Sequence, residues 1–118
     1  MAGKRSQQKG RSGELELVKV LNGYGIEAEP GLPRSYGLTP DITGVPGIHV
    51  ECKRVEKLNI TEAMDQSVRD SARFNDGAPA VFHRRDRKEW LVTMRLSDWT
   101  QLYRAAREEK KNEQEGIG

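Results

Sequence analysis

Residues 40–53, which read PDITGVPGIHVECK, constrain the fold of this chain more than any other segment. The second half alternates apolar and polar residues as a β-strand does, so Glu51 and Lys53 share one face. Residues 44–47 are rich in turn formers, and across such a turn the short piece beginning at Asp41 can pair with this strand. The sequence therefore predicts a hairpin on which Asp41 lies alongside Glu51.

Two carboxylates that converge on one point offer the hard oxygen ligands that Mg²⁺ and Mn²⁺ prefer. A third carboxylate, Glu14, lies on a predicted helix over about residues 11–22, at the edge of its apolar side. A carboxylate near a packed face is costly unless it is paired or bound to a metal ion. On these residues alone, a solvated strand face, and for Glu14 a salt bridge or the helix dipole, remain open alternatives.

The length of 118 residues allows a single domain with a modest core, which we expect over about residues 9–107. Residues 1–8 and 108–118 are polar or charged, so both ends are expected to be flexible. No apolar run approaches membrane-spanning length, and the single cysteine excludes an internal disulfide, so an intracellular setting is expected. The net charge of +2 is small, but local basic patches suit either phosphate binding or solubility.

Hydrophobic periodicity and turn residues predict the order helix, strand, strand, strand, helix, strand, strand, helix. A capping box at Asn59 opens the second helix, whose packed face is expected to include Met64 and Val68. The last helix is expected to bury Trp99 and Tyr103 in the core. The order as a whole predicts one α/β domain with a central mixed β-sheet flanked by helices.

Three further polar residues are predicted to have no part in the chemistry. His49 and His83 stand without the companions of a zinc site, which indicates structural or surface roles. Glu16 lies beside Lys19 on the outer side of the first helix and is expected to be an ordinary surface residue.

A helical glutamate, a Pro-Asp pair, a strand Glu-x-Lys and a later helical glutamine occur in this order along the chain. This combination resembles the PD-(D/E)XK nuclease superfamily, and within it the archaeal-type Holliday junction resolvases, including small relatives carried by phages. The resemblance implies a restriction-endonuclease-like fold and spans about residues 9–94. The residues that carry it are Lys9, Gly10, Glu14, Ser35, Pro40, Asp41, Glu51, Cys52, Lys53 and Gln66.

The resemblance implies that Asp41 and Glu51 hold Mg²⁺, which Mn²⁺ could replace, with help from the backbone carbonyl of Cys52. Glu14 would complete the acidic cluster, either directly or through metal-bound water. Lys53 would stabilise charge on the phosphate or orient the attacking water, and electrostatic support is the role we expect.

Two further roles rest on the resemblance. Ser35 would contact the scissile phosphate, although a serine in this loop also suits a simple turn. Gln66 would brace the site from its helix, although it also suits an exposed helix face. The basic residues expected to contact DNA phosphates are Lys9, Arg11, Arg34, Arg54, Lys57, Arg69 and Arg73.

The function implied by the resemblance is that of a metal-dependent endonuclease that resolves four-way DNA junctions by paired phosphodiester hydrolysis. A homodimer is expected, because two sites related by a two-fold axis suit paired cuts, although the shortness of the chain leaves its contacts open. Such an enzyme would act in the cytoplasm, that of the host if it is carried by a phage. Alternatives are a nuclease of the same fold acting on flaps or duplex ends, a DNA-binding module without catalysis, and a plain interaction domain.

Overall fold

The elements of the chain follow one another in the predicted order. The computed structural model describes the backbone of residues 2–32 and 38–117 and the side chains of residues 10–32 and 38–114. Within these residues the helices and strands are α1 (Ala2–Gly23), β1 (Glu29–Pro30), β2 (Ile42–Thr43), β3 (Ile48–Arg54), α2 (Ile60–Phe74), β4 (Ala78–Arg84), β5 (Leu91–Met94) and α3 (Leu96–Ile117). The predicted α/β class with a mixed sheet is confirmed.

The five described strands lie in the sheet in sequence order, from β1 at one edge to β5 at the other. β3 and β4 run parallel because α2 carries the chain back along the sheet between them, and the other neighbouring strands run antiparallel. Ile42 of β2 pairs with Val50 of β3. In an antiparallel ladder this register sets Asp41 opposite Glu51, as the hairpin predicts.

The two faces of β3 meet different helices. Leu17 and Leu21 of α1 form a core cluster with Val50, and both Leu17 and Val50 are 1% exposed. Burying an aliphatic side chain of this size contributes about 2 kcal/mol to stability. On the opposite face, the ring of His49 stacks on Phe74 of α2 at a centroid distance of 6.3 Å. The polar face of β3 therefore lies beneath α2.

Small residues bring α2 close to the sheet. Asn59 caps the helix as predicted, and its side chain accepts a hydrogen bond from the backbone N–H of Glu62 at 3.1 Å. The fully buried residues of this helix are Ala63, Ser67 and Ser71, whereas Met64 and Val68 are half-buried. The predicted packed face was therefore offset, because close approach to the sheet favours small side chains over large apolar ones.

Both terminal helices are longer than predicted, since α1 begins at Ala2 and α3 continues to Ile117. The expected burial of the apolar side of α3 was wrong: Trp99 is 49% exposed and Tyr103 is 51% exposed. These two rings stack on each other at 5.2 Å rather than on the sheet. No helix in the described part of the chain has the length and apolarity that crossing a membrane requires.

Candidate metal centre

Glu51 lies at the centre of a buried group of ionisable side chains. It is 4% exposed and projects from the middle of β3 toward the side covered by α2. Its carboxyl group shares hydrogen bonds with Asp41, Asp70 and His49. A single carboxylate is thus approached by residues from β3 itself, from α2 and from the segment preceding β2.

The structure brings Asp41 and Glu51 together. Burial, followed by the negative charges of Glu51 and Glu14, raises the pKa of Asp41 to about 7. The backbone N–H of Cys52 donates a hydrogen bond to Asp41 and acts in the opposite direction. Two carboxyl groups this close resist simultaneous ionisation, which is the electrostatic condition that a bound cation relieves.

His49 holds Glu51 from the same face of β3. Its Nδ1 lies 2.9 Å from both carboxylate oxygens of Asp76, and its Nε2 lies 3.3 Å from Oε1 of Glu51. Burial disfavours the charged imidazole, but the hydrogen bonds to Glu51 and Asp76 outweigh it and raise the pKa of His49 to about 9. The expectation that His49 stands alone was wrong, because its partners come from β3 and from the segment that follows α2.

The position of Asp76 follows from the way α2 ends. Asn75 at the C-cap is in the left-handed conformation, with φ of 49°, and so turns the chain out of the helix. Gly77 has φ of 132°, and an added Cβ would lie 2.3 Å from the backbone of Gly47. Only glycine fits this approach, and the resulting turn sets Asp76 beside His49 at the start of the β3–β4 pairing.

Asp70 completes a group that the sequence did not reveal. Burial, and then the charge of Glu51, raises the pKa of this α2 residue, while a hydrogen bond from Gln66 acts the other way. The ligand atoms of His49, Glu51 and Asp70 all lie within 4.8 Å of one another. This group could hold a metal ion. A signal was present, since His49 precedes Glu51 by two residues and Asp70 follows Gln66 by four.

Glu14 approaches the centre from α1 without joining that group. Its carboxylate pairs with Arg11 at 3.6 Å, and its side chain is 19% exposed. Burial raises the pKa of Glu14 against the lowering influence of Arg11, and its charge also acts on Asp41. Among the described residues, the three ligand atoms that cluster most closely therefore exclude Glu14.

Lys53 and Gln66 line a groove beside the centre. The positive charge of Lys53, together with the hydrogen bond from His49, lowers the pKa of Glu51, although burial acts in the opposite direction. Gln66 contacts Asp70 rather than Glu51, so it lies one residue further from the centre than expected. The groove has a volume of about 300 Å³ and is also lined by Arg69.

The other basic residues proposed to contact DNA have varied surroundings. Arg54 pairs with Asp86 at 2.8 Å and with Glu16 at 3.4 Å. Glu16 also pairs with Arg84, so the expectation that it is an ordinary surface residue was wrong. Arg11 donates to the backbone carbonyl of Gly31 at 2.9 Å.

Lys57 lines a pocket of about 630 Å³ together with Arg84, Arg85 and Lys88. Arg73 lies over the ring of Phe74 at 5.0 Å. The predicted residues Arg34 and Ser35, and the side chain of Lys9, lie outside the described residues.

Comparison of the chain with protein-family models, with curated proteins and with solved structures finds no match. The arrangement around Glu51 must therefore carry any functional argument. It concentrates three carboxyl groups, an imidazole and a lysine at one end of a groove. Chemically, such a site can bind a divalent cation and stabilise an anion beside it.

Proposed function

We propose that this protein is a metal-dependent endonuclease that hydrolyses phosphodiester bonds in branched DNA and resolves four-way junctions. The observation that carries the proposal is the buried contact between Asp41 and Glu51 beside Lys53. These are the residues through which the chain resembles the PD-(D/E)XK nucleases, and the hairpin brings the two carboxyl groups together. The restriction-endonuclease-like fold is part of the same proposal, supported by the element order and by the parallel β3–β4 pair.

The residues present fit Mg²⁺. Asp41 and Glu51 offer oxygen ligands, the backbone carbonyl of Cys52 lies between Glu51 and Lys53 in the chain, and Glu14 is close enough to influence the charge of Asp41. Mg²⁺ prefers a few carboxylates and retains several waters. The bound ion would supply a water of lowered pKa and would polarise the phosphate. Mn²⁺, which accepts the same ligands, would replace it.

The chain's own residues would position the substrate. Lys53 shares the face of Glu51 and opens onto the groove, so its ammonium group would neutralise charge that develops on the phosphate. Arg69 lines the same groove and would contact a neighbouring phosphate. Lys57, with the other basic residues of the larger pocket, offers a second phosphate contact. Gln66 would act through Asp70, as a positioning residue.

A homodimer is the second part of the proposal. A four-way junction has approximate two-fold symmetry, which a symmetric dimer with two sites would match. The exposed apolar side of α3, with Leu96, Trp99, Leu102 and Tyr103, supports self-association through this helix. The enzyme would act in the cytoplasm, where its DNA substrate is found.

The test is cleavage of end-labelled four-way junction, flap, linear duplex and single strand, each with Mg²⁺ or with EDTA. We expect symmetric Mg²⁺-dependent nicks in the junction, reduced at least about 100-fold in Glu51→Gln because a metal ligand is lost. Glu27→Gln, at an exposed glutamate, is the matched control and should cut normally. Cutting of flaps or duplex instead would move the function to another nuclease of this kind. Tight junction binding without cutting, with either Mg²⁺ or Mn²⁺, would indicate a binding module.

A further inference from the structure

We propose that His49, Glu51 and Asp70 form a second cation site, selective for a transition metal such as Mn²⁺, with Glu51 bridging it to the ion at Asp41. The bridging role rests on the function proposed above, because it takes Asp41 and Glu51 as ligands of the first ion. The second site itself rests on the geometry of His49, Glu51 and Asp70.

The ligand atoms already have separations near those of a metal site. Two ligands at about 2.1 Å from one ion lie about 3.0 Å apart at a right angle and about 4.2 Å apart when opposite. Nε2 of His49 is 3.3 Å from Oε1 of Glu51, and all three ligand atoms lie within 4.8 Å of one another. Side-chain rotations of less than about 1 Å would therefore enclose an ion.

The orientation of His49 is an observation independent of the acidic residues around the site. A metal-binding histidine usually donates its other ring N–H to a carboxylate, which fixes the ring and directs the free nitrogen to the metal. His49 has this arrangement, because Nδ1 bonds to Asp76 and Nε2 points toward Glu51. The ring is 1% exposed and stacks on Phe74, so its direction is held by packing as well.

Glu51 is suited to bridge two ions because it contacts carboxyl groups on both sides. It shares hydrogen bonds with Asp41 on the β2 side and with Asp70 on the α2 side. Paired ions in hydrolytic sites lie about 3.5–4 Å apart, a separation that one bridging carboxylate spans. Without metal, a proton on Nε2 of His49 occupies the line to Glu51, and a bound cation would displace that proton.

The imidazole decides which cation would enter. Carboxylates accept Mg²⁺ and Mn²⁺ alike, whereas imidazole nitrogen favours transition metals over Mg²⁺. The second site would therefore fill with Mn²⁺ more readily than with Mg²⁺, while the oxygen-rich site at Asp41 would accept both. The expected difference between the two sites is one of ligand type and not of burial.

The test is Mn²⁺ binding by the full chain without DNA, with calorimetry for stoichiometry and pulsed electron paramagnetic resonance for nitrogen coupling. We expect two Mn²⁺ ions in the wild type and ¹⁴N modulation from one imidazole. His49→Gln should bind one ion and lose the modulation. His83→Gln, which alters a histidine bonded to Thr93 at 2.9 Å, should retain two ions and the modulation.

A single Mn²⁺ ion in the wild type, or modulation that persists in His49→Gln, would overturn the second site. If His49→Gln does not fold, Asp70→Asn replaces it, with a fall from two ions to one as the expected result. The outcome is separable from that of the nuclease assay. Two bound ions with no DNA cleavage would refute the proposed function and leave the site standing, whereas cleavage with a single bound ion would refute the site alone.

Discussion

Nε2 of His49 lies 3.3 Å from Oε1 of Glu51, two residues further along the same face of β3, while Nδ1 of His49 is held by Asp76. The imidazole thus joins the turn after α2 to the central carboxylate of the site. Because Glu51 also meets Asp41 and Asp70, this contact links the conformation of three separate segments to one side chain.

The pH dependence of stability should report the charge on His49. Its pKa rises from the ordinary 6.5 to about 9, so its contribution is fully present below about pH 6.5 and is lost as pH rises through about 9. In EDTA, the free energy of unfolding of the wild type relative to His49→Gln should therefore fall by about 3 kcal/mol between pH 6 and pH 10. Urea denaturation at both pH values measures this difference. A gap that does not change with pH would contradict a charged His49.

Asp41→Asn should stabilise the metal-free protein and abolish its Mg²⁺ response. The pKa of Asp41 rises from 3.8 to about 7, so its ionisation opposes folding increasingly as pH rises through this range. At pH 8 in EDTA, the variant should gain about 2 kcal/mol, because a buried like charge beside Glu51 is removed. Thermal unfolding with and without Mg²⁺ tests both statements. Mg²⁺ should raise the melting temperature of the wild type and leave that of Asp41→Asn unchanged.

Gly77→Ala should destabilise the protein strongly and disturb the site. The new Cβ would meet the backbone of Gly47 at 2.3 Å, and φ of 132° is unfavourable for alanine. We expect a loss of about 3 kcal/mol or more, with weaker Mn²⁺ binding because Asp76 and then His49 move. Gly10→Ala is the matched control, because its Cβ would meet nothing within 4 Å.

The control substitution should raise stability by up to about 1 kcal/mol, since Gly10 lies inside α1 and alanine favours helix. Denaturant titration of both variants gives the comparison. Equal stabilities for Gly77→Ala and the wild type would show that the close approach to Gly47 does not constrain the turn.

Trp99→Glu should prevent self-association. Trp99 is 49% exposed on the apolar side of α3, and a charge there would oppose burial against a second copy. Sedimentation velocity should show a dimer for the wild type and a monomer for the variant. Gln101→Glu introduces the same charge at another exposed position of α3 and should leave the dimer intact. A monomeric wild type at micromolar concentrations would remove the case for α3 as a dimer contact.

Local patterns predicted much of this fold, as β3 and α2 show. The alternation from Ile48 defined β3, and the Asn59 capping box defined the start of α2, because both signals act between residues a few positions apart. The meeting of Asp41 and Glu51 was predictable for the same reason, since one short turn joins their strands. The α2 face was misjudged because helical periodicity cannot tell how closely a helix approaches a sheet.

The sequence by itself determined the element order, the polar face of β3 and the hairpin that pairs Asp41 with Glu51, all of which depend on short-range geometry. Only the tertiary structure decided that Asp70 and Asp76 reach that face and that His49 lies between carboxylates. Those contacts depend on how α2 settles against β3 after a crossover, and on the turn through Gly77 that ends it. The exposed side of α3 has the same origin, because an amphipathic pattern requires an apolar partner without specifying which one.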